Sequence, residues 1–246
     1  MGTLRNEPYS HVDSDKNTSR VLGAAFLLQA ITSLSSGLIL KLVLTVSGNI
    51  SQSMIRIANN AWLMRTSLFV DMLTAFGVIF LGAILFITLR KQNEPIALVA
   101  LGFYVLEAAL NAASKIPAFS LLRTSQEYAA AAHPAFLETI GSLAFESMDF
   151  VGTKLTMLCF CLGAILFYYL IDKSRIVPRA LSLWGLITVF PCLVGTLFAI
   201  FGYEVPFAVY VPYAPFEFTI GVWILVEGIS NVSEPSSDGT LSGGLR

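Results

Sequence analysis

A chain of 246 residues that is 55% hydrophobic and only 13% charged carries more apolar surface than a soluble domain of that length can bury. Its mean hydropathy of +0.73 makes lipid, not water, the solvent for most of it. The formal net charge is −1 and no basic run forms a phosphate-binding patch, which argues against nucleic acid as a partner.

Residues 1–19 are polar and read as a cytoplasmic tail. A secretory leader would place its short apolar core there, so the run from Val21 reads as an uncleaved first span. Six apolar runs, near 21–46, 66–89, 96–122, 147–171, 180–202 and 214–230, reach or approach the roughly 20 residues a helix needs to cross a bilayer. The expected fold is therefore an all-α integral membrane bundle of six transmembrane helices over 20–230. The Ser/Gly-rich stretch 231–246 reads as a disordered cytoplasmic tail.

The connections differ by side. Those after spans 2 and 4 are short and basic, RKQNEP (Arg90–Pro95) and DKSRIVPR (Asp172–Arg179), each with a proline just ahead of the next span. On the other side, residues 47–64 mix Ile50, Met54, Ile57 and Trp62 with polar residues, the pattern of an amphipathic helix lying in the interface. Residues 124–146 predict one or two further surface helices, and Tyr203–Tyr213 an extended cap. Pro117 and Pro191 are expected to kink or end their helices. The small pairs Ser33/Gly37 and Ala109/Ala113 are expected to allow close helix approach.

The hexamer LGAILF occurs at Leu81–Phe86 and again at Leu162–Phe167, each copy followed by a basic loop, a proline and a new span. Spans 2–3 and 4–5 thus read as two copies of one hairpin. Orientation follows from Lys and Arg. With both termini inside, Arg5, Lys16, Arg20, Arg90, Lys91, Lys173, Arg175 and Arg179 face the cytoplasm, against Lys41, Arg56, Arg65 and Arg123 for the reverse. The expected location is a cell (inner) membrane, with the N- and C-termini cytoplasmic.

Ionisable residues inside spans are costly and mark candidate sites. They are Asp71, Glu107, Lys115, Asp149, Lys154 and Glu217. At about 1.5 Å of rise per residue, Glu107 lies roughly 18 Å from the inner edge and Glu217 at a similar level, with the others nearer the outer face. The inner half of the bundle is almost free of charge, so the band predicts a polar cavity opening outward. In span 3, Glu107, Asn111 and Lys115 repeat every four residues, with Tyr104 extending the stripe. These eight residues form the candidate ligand-binding set. Cys159, Cys161 and Cys192 lie in apolar runs and His11 and His133 in a tail and a loop, which gives no metal-ligand cluster and implies no cofactor.

Several stretches resemble a known family. They are Arg65 with Asp71, LEAALN around Glu107, SQEY at Ser125–Tyr128, Asp149, the long stretch Leu162–Ile187, and PFEFTIGVWILVEG (Pro215–Gly228) holding Glu217. Together they resemble the prokaryotic multi-pass membrane family called domain of unknown function 4386. The resemblance implies a bacterial or archaeal membrane protein and supplies no activity. Lys115 and Lys154 do not belong to its pattern.

Three functions compete on the sequence. The first is binding or transport of a small polar or cationic ligand, or protons, through the band of acids. The second is a non-catalytic accessory or sensory role in which the polar groups only fix helix register. An intramembrane carboxylate enzyme ranks third, because there is no GxSxG, no HExxH and no histidine within a span.

Overall fold

In the computed structural model, residues 9–46 and 48–229 are described, with side chains from residue 19 onward. Both tail predictions fall largely outside them: residues 231–246 wholly, and residues 1–19 except for the helical backbone that starts at Tyr9. The described residues form helices joined by short turns and loops, with no strand. Six helical stretches are long and apolar enough to cross a membrane: Ser19–Leu44, Ala61–Leu89, Glu94–Ala130, Ala135–Ser174, Arg179–Ile200 and Phe207–Glu227.

The first stretch is α1 (Tyr9–Leu38), which runs into a π-helical turn at Ile39–Leu44. A short helix α2 (Ile50–Asn59) follows, capped by the Asn49 side chain, which accepts from the Gln52 N–H at 2.9 Å. Then come α3 (Ala61–Leu89), α4 (Glu94–Ala113) and α5 (Lys115–Ala130). Helix α6 (Ala135–Asp149) passes through a second π-turn, Phe150–Leu155, into α7 (Thr156–Ser174). Helices α8 (Arg179–Ile200) and α9 (Tyr213–Glu227) complete the set.

The spans close into a ring in chain order. Helix α1 packs on α3, α3 on α4, α4 on α7, α7 on α8, α8 on α9, and α9 back on α1. The apolar core of this ring includes Phe26, Leu85, Tyr104, Phe167, Tyr168 and Phe216. Both LGAILF copies lie on α3 and α7, and each opens a hairpin closed by a basic turn. The second turn is held by Asp172, which accepts from the Ser182 hydroxyl at 2.9 Å and faces Arg179 at 3.6 Å. Arg175 takes a left-handed φ of 57° to end α7.

The other side of the bundle departs from expectation. Helix α5 follows α4 across the break at Ser114, and α6 runs into α7 through the second π-turn. At about 1.5 Å of rise per residue, stretches of 37 and 40 residues hold more helix than the roughly 30 Å of a hydrocarbon core requires. Their ends pair with each other and with α2 around a second apolar core of Met54, Ile57, Leu121, Leu122, Leu137 and Met148. Met54 and Ile57 are fully buried, so the apolar face of α2 is taken up by protein instead of the interface.

Proline effects divide. Pro117 lacks the N–H that would bond Ala113 four residues back, and Ala113 is where α4 stops. Pro191 sits inside a continuous α8. The expected small-residue contacts also fail: Ser33, Gly37, Ala109 and Ala113 all face outward. The close approach is made by Gly23 and Gly221 between α1 and α9, where a Cβ on Gly23 would stand 2.7 Å from the Leu225 backbone nitrogen.

Candidate functional site

The eight candidate residues resolve into three groups. In the first, Lys115 Nζ meets Asp71 Oδ2 at 2.5 Å, with side-chain exposures of 16% and 21%. The Asn111 amide donates to the Asp71 carbonyl at 3.3 Å. Asn111 and Lys115 therefore clamp the α4–α5 break to α3.

In the second group, Lys154 lies 3.5 Å from Asp149. In a regular α-helix, residues five apart point about 140° away from each other. The π-turn at Phe150–Leu155 widens the coil and brings the two onto one face. Gly152 in that turn lies against Ser114, so the widened turn and the α4–α5 break sit side by side.

The third group is central. Glu107 on α4 is 6% exposed and Tyr104, one turn earlier, 2% exposed. Glu107 Oε2 and the Tyr104 hydroxyl are both buried without a hydrogen-bond partner. Glu217 on α9 is only partly buried, yet close enough for its carboxyl to act electrostatically on Glu107 and Tyr104. Among the described residues, neither Glu107 nor Glu217 forms an ion pair, since Lys115 and Lys154 are paired elsewhere.

Two residues not singled out from the sequence complete this centre. The hydroxyls of Tyr168 on α7 and Tyr213 at the start of α9 are hydrogen-bonded at 2.6 Å, and both lie within electrostatic reach of Glu217. A signal for Tyr213 is present, because it stands four residues before Glu217, much as Tyr104 stands three before Glu107. Aromatic rings seal the group: Tyr104 stacks edge-on with Phe167 at 5.1 Å, Phe160 with Tyr213 at 5.1 Å, and Tyr168 with Phe216 at 5.1 Å. A further buried orphan, Gln29 Oε1, lies on α1 facing Gly77 of α3.

Chemically, this centre offers carboxyl and phenol oxygens with no metal-ligand cluster among the described residues. The three cysteines are free and buried. The family model described as "Domain of unknown function (DUF4386)" matches residues 21–228, most of the chain. The chain belongs to this family. No curated protein and no solved structure matches this DUF4386 protein. For a DUF4386 member of such architecture, a multi-pass place in a membrane is supported jointly by the family match and the six apolar helices.

Proposed function

We propose that this chain binds, and in turn carries, protons or a small cation within the membrane, with Glu107 as the charge-holding group and Glu217 and Tyr104 beside it. The observation that carries this reading is the pair of buried, unpartnered oxygens, Glu107 Oε2 and the Tyr104 hydroxyl, within electrostatic range of a second carboxyl and, among the described residues, without an ion pair to any lysine or arginine. Two carboxyl groups within electrostatic range in a low-dielectric core need a bound proton or a cation, and among the described residues no lysine or arginine forms an ion pair with either. Close edge-on ring packing around them favours the smallest ligands over a bulky organic cation.

The reading puts both termini and the basic turns in the cytoplasm of a prokaryotic cell, supported by the Lys and Arg bias. The band of Asp71, Asp149 and Glu217 then faces the outer half, with Asp71 and Asp149 serving the entrance rather than the centre. Partners in this reading are the lipid bilayer and a small ion.

The test is infrared titration of purified protein in lipid nanodiscs across pH and across sodium, potassium and lithium salts. A carboxyl band that responds to pH or cation, and that disappears in Glu107→Gln with the fold intact, is expected. A response unchanged in Glu107→Gln removes the central residue of the proposal. The alternative, a non-catalytic accessory or sensory protein, draws on the same ring packing, which also suits a rigid scaffold. It predicts that Glu107→Gln alters thermal stability while leaving every titrating carboxyl band of the wild-type protein in place.

A further inference from the structure

The groove beside the second π-turn lies outside the centre described above. It is an open groove of about 560 Å³ lined by residues that include Leu143, Glu146, Asp149, Phe150 and Lys154. We propose that it holds the headgroup of a zwitterionic aminophospholipid from the leaflet on the α2 side, the phosphate on Lys154 and the ammonium on Asp149 and Glu146.

Depth supports this. Counted from Ser174 at about 1.5 Å per residue, Lys154 stands about 30 Å up and Asp149 about 37 Å up. A hydrocarbon core about 30 Å thick puts Lys154 at its boundary and the two acids in the headgroup layer. Phosphate below and ammonium above is the order in which a phospholipid presents them.

Charge supports it as well. The groove sets one ammonium, Lys154, against two carboxylates. The Lys154–Asp149 pair is loose at 3.5 Å, and both side chains remain reachable, 33% and 41% exposed. Glu146 is exposed and its one partner is the Ser142 hydroxyl at 3.2 Å, with no cation beside it. That surplus of negative charge repels an anionic headgroup and favours a primary ammonium, whose N–H groups can donate to both acids. Phe150 and Leu143 face outward at the same place, giving apolar contact for the glycerol and upper acyl chain.

The experiment uses the full-length protein, repurified from vesicles of phosphatidylethanolamine, phosphatidylcholine and phosphatidylglycerol in equal parts, with the retained lipid read by native mass spectrometry. Retention of phosphatidylethanolamine over phosphatidylcholine by about tenfold is expected, the scale of one or two charge-assisted hydrogen bonds. The double variant Glu146→Gln/Asp149→Asn should erase that preference, and Lys154→Gln should weaken both lipids alike. Equal retention of the two, preference for phosphatidylglycerol, or a preference that survives the double variant would overturn the assignment. A methylation series on the headgroup, read with the wild-type protein alone, guards against a variant that fails to fold. Retention should fall with each methyl added, and a flat series also overturns the proposal.

Discussion

Tyr104 is wedged between two glycines that hold the same place in the repeated hexamer. A Cβ on Gly82 would stand 3.1 Å from the Tyr104 Cβ, and one on Gly163 would stand 2.6 Å from its Cδ2. Glycine is needed at these positions for volume, since the ring occupies the space a side chain would take. Gly163→Ala is expected to cost about 1–3 kcal/mol, the usual range for overpacking a filled core. Gly82→Ala should cost less, and Gly102→Ala, with nothing within 4 Å, should be neutral with respect to packing. Thermal unfolding in one detergent ranks the three. A Gly163→Ala protein as stable as the wild type would mean that the Tyr104 ring is free to move. Because Tyr104 neighbours Glu107, the same variant should disturb any titration of that carboxyl.

Between elements, contacts of two kinds hold the ring: backbone approach and buried charge. At the α1–α9 crossing the neighbour of Gly23 is backbone, the Leu225 nitrogen and the Gly221 carbonyl, which cannot swing aside. At Gly221 the nearest atoms belong to the Leu27 side chain, which can. Gly23→Ala should therefore lower the melting temperature more than Gly221→Ala does, and equal effects would show that the helices slide freely. The Asp71–Lys115 clamp makes a different prediction. Asp71→Asn strands a largely buried ammonium and should cost about 1–3 kcal/mol. Adding Lys115→Gln should recover part of that loss, so a double-mutant cycle with simple additivity would sink the clamp. The sequence showed these acids and lysines as one band, because helical rise sets depth. It did not show their partners. Which of Glu107, Asn111 and Lys115 faces α3 depends on the α4–α5 break and on helix rotation, and spacing within one span encodes neither. The same gap explains Ser33/Gly37: four-residue spacing shows that two small residues share a face, not which way that face turns.

At the scale of the molecule there are two cores with different solvents. The ring spans lipid, where backbone satisfaction and long apolar runs dominate, and those features are legible by length and hydropathy alone. The cap of α2, α5 and α6 is built on the far side, and its apolar periodicity is the same whether a helix rests on lipid or on protein. Hence Met54 and Ile57 were readable as an apolar face but not as a core. Tyr128 is the polar centre of this cap. Its hydroxyl bonds the Ser51 hydroxyl on α2 at 2.6 Å and donates to Glu138 on α6 at 3.3 Å, while its ring meets His133 at 4.9 Å. The cap joins the ring through the two π-turns and the Ser114 break, three points at which the regular α-helical hydrogen bonding changes. A joint of that kind should let the cap open as its own cooperative unit. Amide hydrogen exchange in nanodiscs is expected to show α2, α5 and α6 exchanging together and faster than the middle of α3 and α7. Tyr128→Phe removes both hydroxyl bonds, worth about 1–2 kcal/mol together, so cap protection should fall about tenfold. Protection in α3 and α7 should stay where it was. If those helices lose protection in step with the cap, the two cores unfold as one and the interrupted turns are no joint at all.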